Sequence, residues 1–68
     1  MAHYPDGSVY EGEFQSDLEN GFGVLKEADG KSEYEGYWRN GLRCGKGVLR
    51  RAGLENIEGM WRDDLLVQ

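Results

Sequence analysis

The sequence is poor in the residues that fix most small folds. A single cysteine, Cys44, excludes an internal disulfide and fits a reducing compartment. With one histidine, His3, there are too few ligands for a zinc site, which takes four. No apolar run approaches the roughly 18 residues of a membrane-spanning helix, and the start has no signal-peptide pattern. The expected setting is therefore cytoplasmic. Cations are also scarce: 8 Lys and Arg stand against 13 Asp and Glu, for a net charge of −5. That balance excludes a general nucleic-acid binder, which needs a basic footprint. No segment keeps a helical period, and one proline stands against 11 glycines.

What is present is repetition. Tyr-Glu-Gly-Glu-Phe at 10–14 returns as Tyr-Glu-Gly-Tyr-Trp at 34–38 and as Ile-Glu-Gly-Met-Trp at 57–61. Gly-Phe-Gly-Val-Leu from Gly21 returns as Gly-Lys-Gly-Val-Leu from Gly45. Such a period implies stacked supersecondary units, an architecture that holds partners more often than it performs chemistry.

Within each unit the alternation has a period of two, the signature of strands. Tyr10, Gly12 and Phe14 share one face, as do Tyr34, Gly36 and Trp38, and Ile57, Gly59 and Trp61. Asp6-Gly7, Asp29-Gly30 and Asn40-Gly41 are turn signals. The fold class is all-β: about five strands in a row of antiparallel hairpins forming one open, twisted sheet. Glycine weakens a strand, so its abundance here needs a reason. Aromatic rings can lie flat on the bare backbone of a glycine in a neighbouring strand, where no Cβ lifts them. The glycine-rich strands should also bend, giving a trough in which Tyr10, Phe14, Tyr34, Trp38 and Trp61 are both the core and the lining.

These two phrases at fixed spacing resemble the MORN (membrane occupation and recognition nexus) repeat over almost the whole chain. The resemblance implies an elongated hairpin solenoid that scaffolds proteins at cytoskeletal structures and membrane junctions, often as a dimer. Phe14 departs from the pattern where it has Trp, Ile57 where it has Tyr, and Asp17 and Asp64 where it keeps glycine. The units run 4–27, 28–51 and a truncated 52–68, which reads as a single array excerpted from a longer one. Its last motif, Ile57–Trp61, is expected as an open edge strand.

Charge is uneven along the array: residues 1–33 hold eight acids and two lysines, residues 34–68 six cations and five acids. Glu11, Glu35 and Glu58 recur once per unit, which fits a structural role better than a hydrolase pair. Leu18, Leu42 and Leu65 recur in the loops and are expected against neighbouring loops. No catalytic, metal or cofactor residues are assigned. The function expected is non-catalytic protein or peptide binding on the aromatic face by Tyr10, Phe14, Tyr34, Trp38 and Trp61, with Arg39 and Arg43 at the rim. Three alternatives stand beside it: anionic phospholipid headgroups on the basic second unit, self-association through edge strands, and service as an accessory module of a larger enzyme.

Overall fold

A computed structural model describes residues 2–67. Seven strands follow one another: β1 (Ala2–His3), β2 (Val9–Gln15), β3 (Leu18–Lys26), β4 (Ser32–Arg39), β5 (Leu42–Arg51), β6 (Ile57–Arg62) and β7 (Leu65–Leu66). All lie in one antiparallel sheet, each beside its neighbours in sequence. No helix occurs among the described residues.

Two strands exceed the five expected from sequence. β1 pairs Ala2 with Tyr10 and His3 with Val9, while β7 pairs Leu66 with Trp61 and Leu65 with Arg62. Consequently β6 is not fully open: beyond Trp61 the chain turns back on it, and the amide of Val67 donates to the carbonyl of Met60 at 2.8 Å. The reversal is made by Asp63 and Asp64, both left-handed, at φ 50° and 72°. Ser16-Asp17 (53°, 66°) and Asn40-Gly41 (51°, 85°) do the same. Two successive positive φ values match the right-handed twist of the flanking strands and close a tight hairpin.

The register puts five glycines in one row across five strands. Gly12 faces Gly23, Gly23 faces Gly36, Gly36 faces Gly47, and Gly47 faces Gly59. Tyrosines lean onto this row from one side: a Cβ on Gly23 would come within 2.6 Å of Tyr10 Cε1, and one on Gly47 within 2.6 Å of Tyr34 Cε1. Tryptophans lean in from the other, the indole of Trp38 donating to the carbonyl of Gly23 at 3.3 Å and that of Trp61 to Gly47 at 3.4 Å.

Phe14, Tyr10, Trp38, Tyr34 and Trp61 form one chain of edge-to-face contacts, with centroids 4.9, 5.4, 5.1 and 5.4 Å apart. Each such contact adds about 0.5–1.5 kcal/mol beyond burial. The rings thus act as the second layer that a sheet otherwise borrows from another element.

Candidate functional site

The ring face is filled more deeply than an open trough. Tyr10 and Tyr34 retain 0% and 1% of their exposure, Trp38 and Trp61 6% and 7%. Phe14, at the end of the ring chain, stays 41% exposed. Strand alternation assigns a face to each ring and says nothing of depth, so which of these rings are core and which stay open was not readable beforehand. Of the five predicted aromatic contacts, Phe14 is the one broadly open to solvent.

Beside the rings lies a hollow of about 240 Å³, bordered by Tyr4, Glu19, Glu27, Trp38, Arg43 and Asp64. Tyr4 reaches it from the turn after β1 and donates its hydroxyl to Glu19 on β3. Tyr4 follows β1 and Glu19 lies on β3, so the contact joins the segments on either side of β2. The desolvated Tyr4 phenol, next to the Glu19 carboxylate, has its pKa pushed up to about 12. Burial likewise raises the pKa of Tyr10 and Tyr34 above the ordinary phenol value. Their hydroxyls are neutral donors, to the carbonyls of Glu13 at 2.9 Å and Tyr37 at 3.4 Å.

Arg43 is built into the hollow's wall. Its guanidinium stands 4.5 Å from the Trp61 ring centroid and 5.5 Å from that of Tyr34. Asp64 Oδ1 accepts from the Arg43 amide at 2.8 Å and from Nε at 3.2 Å, tying the second unit's return strand to the third unit's turn. Arg43 faces Trp38 across β4 and β5, whereas Arg39 faces Leu42 one residue further on. Successive side chains alternate, so the two predicted rim arginines lie on opposite faces of the sheet.

The recurring acids divide. Glu35 Oε1 takes a 2.6 Å bond from Arg50, and Glu33 a 3.3 Å bond from the same guanidinium. Glu11 and Glu58 have no ion-pair partner among the described residues. The loop leucines also depart from expectation: Leu18, Leu42 and Leu65 are 43%, 39% and 67% exposed. Their parity sends them to the face away from the rings, although Leu18 still lies against the Gly41 turn of the next hairpin. Cys44 is half-buried on that face, and no cluster of metal-ligating residues occurs among the described residues.

At the end of the sheet away from the tight hairpins is a second hollow, of about 370 Å³, lined by Lys26, Lys31, Arg50, Arg51, Ser32 and Glu33. The Nε of Arg51 is buried there without a hydrogen-bond partner among the described residues. Parity points Arg39 and Lys46 away from Arg43, so the cations of the second unit do not form one patch.

The family model for the MORN repeat matches residues 10–32 and 34–53, two adjacent repeats. Comparison with curated proteins returned no significant match. No helix among the described residues is long and apolar enough to cross a membrane.

Proposed function

Because the chain belongs to the MORN repeat family, we propose that it is a non-catalytic interaction module, one continuous array that holds a segment of a protein partner along its ring face. The observation that carries this reading is the hollow bordered by Trp38, Arg43, Glu19 and Tyr4, with exposed Phe14 on the same face. Tyr10, Tyr34 and Trp61 serve the site indirectly, by holding its floor and by seating Arg43. A preorganised wall of this kind spares a bound segment part of the ordering cost of association. Glu19, Glu27 and Asp64 outnumber Arg43 around the hollow, which favours a segment carrying cations.

A photo-crosslinking residue in place of Phe14, compared with one at Asp29 in a remote turn, tests the proposal in cells. Discrete protein adducts from position 14 that vanish with Glu19→Lys support it. Adducts no richer than those from position 29 overturn it.

Two other uses have specific support. The hollow formed by Lys26, Lys31, Arg50 and Arg51 would suit an anionic headgroup, each cation near a charged leaflet contributing about 1 kcal/mol. Sedimentation with anionic vesicles at physiological salt decides this: pelleting abolished by Lys31→Glu and Arg51→Glu supports it, and no pelleting rejects it. Self-association is suggested by strand edges. Among the described residues β1 pairs with Val9 and Tyr10 of β2, and the outer edge of β2 from Gly12 onward offers a template for another chain. Light scattering near twice 7.7 kDa would support a dimer, and a monomer at high concentration would reject it.

A further inference from the structure

The face turned away from the rings carries a second surface with its own chemistry. Phe22, Tyr37 and Met60 lie there in one row across the strands, with Lys46 between the last two; they are 43%, 50% and 44% exposed. Phe22 and Tyr37 meet edge to face at 5.5 Å. Leu18, Leu42 and Leu65 form a second exposed row nearer the tight turns. Contiguous exposed apolar surface on a small soluble domain commonly marks an interaction site.

Charge on this face is sorted. Among the apolar rows stand Arg39, Lys46 and Arg62, none in an ion pair among the described residues. Arg39 and Arg62 flank a hollow of about 380 Å³ over Leu42 and Cys44, with Asp63 as the acid in its lining. Glu13, the other acid in the rows, is engaged, its Oε1 accepting from the Phe22 amide at 2.7 Å. The next row along the strands alternates Glu11, Glu35 and Glu58 with Val24 and Val48; Glu35 is paired with Arg50, and Glu11 and Glu58 have no ion-pair partner among the described residues.

These dimensions select the occupant. Tyr37 and Arg39 are two residues apart on β4, and the bulges in β3 and β5 bring Phe22 and Leu18, and Lys46 and Leu42, to a like separation, so the two rows lie about 7 Å apart. Spanning β3 to β7 gives this basic, apolar band a length of about 19 Å. A flat anionic bilayer laid on this face would also meet the glutamate row, about 7 Å further along the strands. A helix, about 10 Å across, covers both rows without reaching the glutamates, and about 13 helical residues match the band's length.

We propose that this face docks an acidic amphipathic helix of a partner protein. The helix's apolar stripe covers Phe22, Tyr37 and Met60, and its carboxylates lie between Arg39 and Arg62 and beside Lys46. This surface is separate from the ring-face site and would let the array hold two partners at once.

The test uses the whole chain, labelled with ¹⁵N, and a stapled helix of about 14 residues with leucines at i, i+3, i+4 and i+7 and glutamates elsewhere. The same helix with lysines for glutamates, and vesicles of mixed phosphatidylcholine and phosphatidylserine, are the comparison probes. The acidic helix should shift the amides of Phe22, Tyr37, Lys46 and Met60 and bind less tightly as salt rises. Arg39→Glu with Arg62→Glu should weaken it by about tenfold or more, as should Tyr37→Glu, each with an unchanged far-ultraviolet spectrum. Phe14→Ala should leave it intact, which separates this outcome from the fate of the ring-face reading. Equal binding of the lysine helix, shifts confined to the ring face, no binding, or vesicle capture dependent on Arg39 and Arg62 would each overturn the proposal.

Discussion

Replacing Gly47 by alanine probes the contact on which the whole sheet depends. The added methyl would come within 2.6 Å of Tyr34 Cε1, and the ring's hydroxyl end is nearer still. Tyr34 cannot swing aside, because Trp38 and Trp61 hold it at 5.1 and 5.4 Å and it is 1% exposed. Overpacking of this kind costs about 1–3 kcal/mol. Relieving glycine's backbone freedom returns roughly 0.5–1 kcal/mol. With ring atoms this close the overpacking cost falls in the upper part of its range, about 2–3 kcal/mol, so the net loss should be about 1–2.5 kcal/mol, or about 4–20 °C in Tm for a domain of this size. Thermal unfolding followed in the near ultraviolet is the assay, since a displaced ring changes the aromatic signal before melting. Gly30→Ala is the control, with no atom within 4 Å of its Cβ and only a left-handed φ of 70° to oppose it; it should leave the aromatic signal unchanged. Tyr34→Phe removes the nearest atom, so Gly47→Ala should cost less in that background by at least about 0.5 kcal/mol. A cost identical in both backgrounds, or an aromatic spectrum unchanged by Gly47→Ala, would refute the idea that this ring rests on bare backbone.

Asp17 and Asp64 share a turn position and a left-handed φ, so their replacement by glycine should separate conformation from contact. Asp17→Gly should raise Tm by about 4–8 °C, from relief of about 1 kcal/mol of backbone strain. Asp64→Gly should gain nothing or lose stability, because it also strips the Arg43 amide and Nε of their shared acceptor, worth about 1–2 kcal/mol, and leaves the guanidinium only the backbone carbonyl of residue 64; equal gains at both sites in calorimetry would contradict this. The raised phenol values of Tyr4, Tyr10 and Tyr34 predict alkaline unfolding. A phenol whose pKa is higher folded than unfolded stabilises the fold below about pH 10, and this stability is lost as pH climbs toward the folded value. Tyrosinate absorbance and far-ultraviolet dichroism should therefore change together above pH 10, whereas full ionisation of all four tyrosines in a still-folded chain would exclude it.

The fold was legible because its governing pattern is local. Period-two alternation placed Tyr10, Gly12 and Tyr34 on a face, and Asn40-Gly41 marked a hairpin without help from tertiary contacts. Which rings are core and which are lining was not legible, since nothing in an alternating strand states how far a sheet closes over its own rings; Tyr10 and Tyr34, read as both core and groove lining, are core, and Phe14 is the ring left open. β7 was missed because Leu18, Leu42 and Leu65 were read as loop residues, whereas each opens its hairpin's return strand. The apolar row of Phe22, Tyr37 and Met60 fell at the variable position of each motif, where no repetition draws the eye. Arg39 and Arg43 were both placed at the rim, although Arg39 directly follows the ring-face Trp38 and so points away from it, while Arg43 lies two residues from Gly45, which shares the ring face.

The glycine row has a consequence for growth. Every hairpin brings both the bare strip on which a neighbour's ring settles and the ring that settles on the next strip, so no separate lid has to be supplied. Thickness is then set once, at a smallest extent of 14 Å here, whatever the number of hairpins. Duplicating a unit would lengthen the ribbon and leave every existing contact as it was, which makes reach adjustable by gene duplication alone.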